Sequence, residues 1–283
     1  MTFNGHRYFL LSQRYVKEKI TRQIYWIIFD HVRADNARRK RFTNFMGVVF
    51  EQYVFELLRR IFPDPSPHLT KRLLTEFEYG EPRNRVKTVD SIMCYPGKLL
   101  LGEIKVSQLK IYKTGVLGDI NAFREDINKI VLASLCTIQR TKNDFKNGKL
   151  VLEGIAPADV NEYIPMIVTY EMFPTHPLLW EIVEDVVTTQ SDMAFDDDIL
   201  DNLQIIEIDE LETIERIVSD GATSLMDLIR TKNADSIFKR LPFSNYLHHK
   251  YANYRSSARD YLGEVFHDLA NEMALKLFGQ PIQ

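Results

Sequence analysis

The sequence has only two cysteines, Cys94 and Cys136, in 283 residues. Two thiols exclude a disulfide framework and a metal site built from cysteines alone, so we expect both to be reduced, buried small side chains. Long hydrophobic runs are also lacking, because stretches such as 24–29 end far short of the roughly 20 residues that cross a bilayer. No charged and then apolar leader with a small-residue cleavage site opens the chain. We therefore expect a cytoplasmic protein without membrane contact.

Two common phosphate-binding motifs are missing as well. The chain has no G-x-x-x-x-G-K-[ST] loop and no G-x-G-x-x-G segment after a strand. No motif therefore indicates chemistry that depends on a bound nucleotide or dinucleotide. The adjacent residues His248 and His249 cannot both face one metal ion from a regular element, and His176 lies between prolines. We interpret all three histidines as structural or surface residues.

The residues that are present are those of a globular chain, with 45% hydrophobic and 27% charged side chains. Their charges are segregated. Residues 1–150 hold 27 Lys and Arg against 15 Asp and Glu, whereas residues 151–220 hold 18 acids and a single base. The basic part favours a polyanionic partner. The acidic part is either a solvated helix surface or a surface with a role of its own. In the second case it faces away from the polyanion and serves a partner or a second subunit, or it folds over the basic part as an autoinhibitory cover.

Proline and turn residues divide the chain into elements, beginning with about sixty residues of helical pattern. The predicted elements are a helix from near Phe45 to the proline-rich segment 63–67, strands at 73–79, 86–95 and 99–106, a helix at 121–145, and strands at 163–170 and 203–208. Pro165 indicates that its strand starts late or lies at an edge. Asp209 and Glu212 resemble a capping box that opens the next helix.

This order predicts a mixed α/β fold in which a core of helix, three strands, helix and strand carries helical additions at both ends. We place the N-terminal helical extension at 1–44, the core at 45–210 and the C-terminal helical region at 211–283.

Two acids are predicted to meet on the hairpin of the second and third strands. If Pro96-Gly97 forms the two central turn residues, paired positions sum to 193 and Asp90 lies opposite Glu103, about 5 Å away. Glu103 shares its face with Lys105, because side chains alternate along a strand. Facing carboxylates destabilise a sheet unless a partner neutralises them. A hard divalent cation would do so, and Lys105 could then position or deprotonate a water.

A third acid, Glu51, lies on an apolar stripe of the preceding helix. An inward-facing carboxylate must be paired, protonated or bound to metal. Glu51 is thus either a buried partner of an arginine such as Arg38 or Arg41, or a third metal ligand. Glu56, one turn along, has Arg59 and Arg60 as neighbours and is interpreted as part of a solvated face.

The order of a helix acid, a strand acid and the triplet Glu103-Ile104-Lys105 resembles the PD-(D/E)XK nuclease superfamily over residues 45–170. The resemblance implies a restriction-endonuclease-like core and one or two Mg²⁺ ions, with Mn²⁺ as a substitute. It also implies that Lys105 assists the attacking water. The implied metal ligands are Asp90, Glu103, the backbone of Ile104, and Glu51 as the helix acid. Val89 stands where the family often has proline, and no glutamine-tyrosine motif follows the lysine, so the subfamily stays open.

The resemblance implies a metal-dependent nuclease that hydrolyses DNA phosphodiester bonds, in bacterial defence or repair. The candidate phosphate contacts are Arg38, Arg39, Lys40, Arg41, Lys110 and Lys113, each of which is alternatively part of a solvated helix face or loop. RNA stays open as a substrate, and so does assembly into a homodimer or larger complex. The alternative from a different class is a catalytically silent module of the same fold that binds nucleic acid or scaffolds proteins.

Overall fold

The computed structural model describes residues 2–3, 6–7, 25, 27–62, 72–106, 118–171, 173–255, 268 and 271–272. The chain divides into two compact units, residues 1–52 and residues 53–283. Helix α1, Asn36–Ile61, contributes to both. The boundaries proposed from the sequence at 44/45 and 210/211 stay predictions.

The sequence pattern predicted a wholly helical first unit, but this unit also contains strands. Strands β1, Thr2–Phe3, and β2, His6–Arg7, form a short antiparallel ribbon. Residues 27–32 are helical, and α1 follows. The predicted start of this helix near Phe45 is wrong because Asp35 caps it much earlier: its Oδ1 accepts hydrogen bonds from the backbone N–H groups of Ala37 and Arg38, at 2.8 and 3.1 Å.

The second unit is built on a five-stranded sheet with the order β3-β6-β7-β8-β9. Its strands are β3 Arg72–Thr75, β6 Ser91–Tyr95, β7 Lys98–Lys105, β8 Glu162–Thr169 and β9 Gln204–Glu207. The pairs β3–β6 and β6–β7 are antiparallel, whereas β7–β8 and β8–β9 are parallel. A separate antiparallel ribbon joins β4, Glu78–Tyr79, to β5, Val86–Lys87.

Helices cover both faces of this sheet. They are α2 Ile120–Ile127, a π-helical turn Asn128–Leu132, α3 Ala133–Lys146, α4 Pro177–Gln190, α5 Asp197–Asp201, α6 Ile208–Ser219, α7 Leu225–Ala234 and α8 Phe243–Lys250. Helix α3 packs on β7 and β8, and α6 packs on β8 and β9. Neighbouring residues of β7 point to opposite faces, yet Leu99, Leu100 and Leu101 are each at most 1% exposed. The sheet is therefore buried on both sides.

The α/β class is confirmed, and the elements occur in the predicted order. Two predicted strands are each divided: 73–79 becomes β3 and β4, and 86–95 becomes β5 and β6. The pieces belong to different sheets, so the chain leaves the main sheet after Thr75 and returns at Ser91.

Pro165 lies inside the sheet rather than at its edge or before the strand, because β8 is flanked by β7 and β9. Pairing of β8 with β9 begins only at Met166. The amide of Tyr170 points to β7, where it donates to Lys105 O, so odd-numbered amides of β8 point toward β9. The missing N–H group of Pro165 would point toward β9, but β9 is not yet paired with β8 at this position. The proline therefore costs the sheet no hydrogen bond.

The helix after β9 is capped by Glu207 and not by Asp209, which was the predicted cap. The carboxylate of Glu210 accepts the backbone N–H of Glu207 at 2.9 Å, so the start of this helix lies two residues earlier than predicted. The chain beyond β9 is helical as far as residue 255, apart from connecting loops. Most of the predicted helical pattern after that point lies outside the described residues.

Cys94 is buried and Cys136 is half-buried, and both are free thiols. Burial raises the pKa of Cys94 to about 11, which makes it a poor nucleophile. Among the described helices, none combines the length and the apolar character needed to cross a membrane.

Candidate active site

The β6–β7 hairpin has the predicted register. All five of its paired positions sum to 193, from Tyr95 with Lys98 at the turn to Ser91 with Gly102 at the open end. Gly97 adopts a positive φ of 74°, which a turn glycine tolerates without strain. Asp90 directly precedes β6 and Glu103 lies on β7, so the same register places them opposite each other just beyond the ladder.

A backbone hydrogen bond holds the carboxylate of Asp90 against β7. Its Oδ2 accepts the N–H of Ile104 at 2.6 Å, so the side chain reaches across the open end of the hairpin. Glu103 is 4% exposed, and its Oε2 accepts a hydrogen bond from Lys105 Nζ at 2.6 Å. Two acids and one lysine are therefore brought together, as the sequence predicted for Asp90, Glu103 and Lys105.

The electrostatic state of the pair is unusual for two carboxylates. Burial, and secondarily the charge of Asp90, raise the pKa of Glu103 to about 7, although Lys105 opposes the shift. Burial likewise raises the pKa of Asp90, against the hydrogen bond from Ile104 and the charge of Lys105. The site is thus short of positive charge, and a further cation would stabilise both ionised groups.

A further acid, Glu76, was not identified from the sequence. It lies in the connection from β3 to β4, and its charge raises the pKa of both Asp90 and Glu103. Its Oε2 is ion-paired with Lys87 Nζ at 2.7 Å. Glu76 and Lys87 therefore belong to the electrostatic surroundings of the site. Nothing in the local sequence marks them, because their position depends on how the β4–β5 ribbon folds back.

That ribbon is held against helix α3. The hydroxyl of Tyr79 donates to Asp144 Oδ2 at 2.7 Å, and Arg140 donates to the carbonyl of Lys87 at 3.0 Å. Burial, and secondarily the hydrogen bond to Asp144, raise the pKa of Tyr79 to about 12, so it remains a neutral donor. These contacts connect the β4–β5 ribbon, which carries Lys87 beside the site, to helix α3.

The remaining predicted site residues are placed as follows. Glu51 is half-buried on α1 within the first unit, and its role as the helix acid stays a prediction. The four basic residues Arg38–Arg41 are exposed on the first turns of α1, where Arg38 pairs with Asp35 at 3.4 Å. Lys110 and Lys113 lie outside the described residues.

Other predicted roles can be compared with the structure directly. Glu56 forms ion pairs with Arg59 and Arg60 at 3.7 and 3.4 Å on a partly exposed face, as predicted. His176 caps helix α4 by accepting the N–H of Leu178, and His248 and His249 are exposed at the end of α8. Within the described ranges, no group of three or more His, Cys, Asp and Glu side chains is placed to hold a metal ion.

Several residues of the acidic segment 151–220 are paired within the protein. Their ion pairs are Asp185 with Arg124 at 2.7 Å, Asp196 with Lys142 at 2.7 Å, Glu184 with Arg240 at 3.1 Å and Asp201 with Lys239 at 3.1 Å. Part of the negative charge therefore stabilises contacts to α2, α3 and the loop after α7.

No protein-family model matches the chain, and no curated protein sequence matches it. Among solved structures, the chain is similar to the small subunit of the heterodimeric restriction endonuclease R.BspD6I. That match has 9% sequence identity and a TM-score of 0.34, and it covers 82% of this chain and 98% of the other. Because the TM-score is below 0.5, the match does not establish a common fold.

Proposed function

We propose that the protein is a metal-dependent nuclease that hydrolyses phosphodiester bonds of DNA. The observation that carries the proposal is the buried carboxyl of Glu103, whose pKa is raised to about 7 by burial and by Asp90 beside it. Perturbed carboxyl pairs of this kind are concentrated at functional sites, because they are costly to keep in a fold without a use.

The donor set suits Mg²⁺ with Mn²⁺ as a substitute. Asp90 and Glu103 provide hard oxygen ligands, and the backbone carbonyl of Ile104 is the third protein donor that the PD-(D/E)XK resemblance implies. Magnesium is commonly bound by one or two carboxylates while water and substrate phosphate complete its shell, so a larger cluster of acids is not required. Such an ion supplies a water of lowered pKa and polarises the phosphoryl oxygen.

The protein groups then have separate tasks. The N–H of Ile104 holds the Asp90 carboxylate in place, at 2.6 Å. Lys105 lies within 2.6 Å of Glu103 and presents its ammonium group at the same site, where it can orient a water or balance phosphate charge. The net charge of residues 1–150 and the exposed run Arg38–Arg41 support a polyanionic substrate.

Plasmid cleavage tests the proposal. Supercoiled DNA is incubated with the protein in Mg²⁺, in Mn²⁺ and in EDTA, and nicked and linear products are measured. Glu103→Gln should abolish cleavage because it removes an anionic ligand while preserving shape. The matched control is Glu162→Gln, since Glu162 is also a strand glutamate ion-paired to a lysine of β7, Lys98, but at the opposite end of the strand.

Cleavage that depends on the metal and is lost only in Glu103→Gln supports the proposal. Equal cleavage by wild type and Glu103→Gln contradicts it. DNA binding by the wild type without cleavage under any metal would instead favour the catalytically silent module.

A further inference from the structure

A buried hydroxyl with no partner lies beside the candidate site. Thr169 is the last residue of β8 and is 1% exposed. Its Oγ1 is buried and has no hydrogen-bond partner within the described structure. Valine would fill the same volume without a polar atom to desolvate, so packing alone does not account for threonine here.

The strand register places Thr169 next to Lys105. Thr169 is paired in parallel with Lys105, and the N–H of Tyr170 donates to Lys105 O at 3.2 Å, which fixes the two strand ends together. Paired residues of adjacent strands project from the same face. Thr169 therefore lies on the same face of the sheet as Glu103 and Lys105. All three are near the carboxyl ends of the parallel strands, where α/β sheets commonly bind ligands.

Lys105 needs a second partner if Glu103 holds a cation. In the structure the Lys105 ammonium donates a hydrogen bond to Glu103 Oε2. A divalent cation on this carboxylate would bring two positive groups close together within a buried site, which is unfavourable. A hydroxyl can accept a hydrogen bond from an ammonium group, and the Oγ1 of Thr169 is an acceptor on the neighbouring strand.

We infer that Thr169 is a positioning residue that receives the Lys105 ammonium when Glu103 turns to a divalent cation. This inference rests on the proposed function, because it requires a cation at Glu103. Thr169 acts through Lys105 and touches neither the metal nor the reacting phosphate. Without it, Lys105 loses this acceptor in the metal-bound protein, and metal binding becomes less favourable.

Mn²⁺ affinity, measured by calorimetry on the full chain, tests the inference. Thr169→Val should raise the Mn²⁺ Kd about tenfold, the size expected when one hydrogen bond to a charged group is lost. Thr169→Ser keeps the hydroxyl and should retain wild-type affinity. In a Lys105→Met background, Thr169→Val should have no further effect, because the group that it positions is gone.

Thr141→Val is the matched control, since Thr141 is also 1% exposed with an Oγ1 that lacks a partner in the described structure, but lies on α3. It should leave the Mn²⁺ Kd unchanged. Thr169→Val should unfold in urea at a concentration no lower than wild type, because it removes an unsatisfied polar atom. A lower unfolding midpoint would assign Thr169 a structural hydrogen bond and overturn the inference.

The two proposals fail in different ways. If wild type binds Mn²⁺ and Thr169→Val binds it equally well, the Thr169 inference is overturned and the metal site stands. The inference is also overturned if Thr169→Val raises the Mn²⁺ Kd by the same factor in the Lys105→Met background as in wild type. If wild type binds no Mn²⁺, the wild-type titration alone overturns both.

Discussion

Alanine at Gly102 should destabilise the protein, because this glycine leaves room for a side chain on the facing strand. Gly102 is paired with Ser91, which is fully buried. A Cβ atom at position 102 would overlap Ser91 Oγ and would lie 3.2 Å from Met166 Cε. The methionine end can move by a few tenths of an ångström, whereas the overlap with the buried serine hydroxyl is too deep for so small a shift to relieve. Overpacking of this kind costs about 1–3 kcal/mol of unfolding free energy.

A second substitution should reverse the effect. Ser91 Oγ is buried and has no hydrogen-bond partner in the described structure, so Ser91→Ala alone should be neutral or stabilise by up to about 1 kcal/mol. With the hydroxyl gone, the new Cβ would meet the Cβ of residue 91 at 3.6 Å, which is ordinary van der Waals contact, and the mobile end of Met166 at 3.2 Å. The double variant should therefore lie within about 1 kcal/mol of wild type, with a coupling energy of about 1–3 kcal/mol.

Equilibrium unfolding in urea, followed by circular dichroism, gives the unfolding free energy of wild type, the two single variants and the double variant. Because Gly102 precedes Glu103, the single variant Gly102→Ala should also lose DNA cleavage, and the double variant should regain it. The reasoning is refuted if Gly102→Ala is as stable as wild type, or if Ser91→Ala fails to restore the stability of the double variant.

The remaining predictions concern charged groups. Asp196→Asn should lower the unfolding free energy by about 1 kcal/mol at pH 7, because Lys142 is 2% exposed and loses its half-exposed partner, whereas the exposed neighbour variant Asp197→Asn should change little. The hydrogen bond from Lys142 lowers the pKa of Asp196, so this stabilisation is present above the ordinary aspartate pKa and should vanish as the pH falls through the lowered value. Burial lowers the pKa of Lys232 to about 8, so the native state loses a proton that the unfolded chain keeps until about pH 10.4, and stability should rise across that window by up to about 3 kcal/mol. Lys232→Met should remove this rise, and identical pH profiles of the two proteins in urea unfolding would contradict it.

The hairpin of the candidate site could be predicted because its determinants are local. A two-residue turn at Pro96-Gly97 fixes the register, and the register fixes which side chains are neighbours. The sequence alone therefore predicted that Asp90, Glu103 and Lys105 lie close together, as they do. The capping of α1 by Asp35 is also local, but the continuous helical pattern concealed it.

The rest of the site depends on contacts between distant segments. Glu76 approaches the acids only because β3 pairs with β6 and the β4–β5 ribbon folds against α3. Thr169 is brought to Lys105 by a parallel pairing across a long crossover, and no turn residue specifies its register. Pro165 was misassigned for the same reason, since the point at which β9 pairing begins is not visible in the sequence of β8.

Calorimetric titration of the wild-type protein with Mn²⁺, beside Glu103→Gln and Glu162→Gln, tests most directly whether the carboxylate pair is a divalent cation site. We predict that wild type and Glu162→Gln bind Mn²⁺ with the same Kd. Glu103→Gln should bind at least about tenfold more weakly, since a buried anionic ligand becomes a neutral amide. An unchanged Mn²⁺ Kd in Glu103→Gln would contradict the assignment of the site.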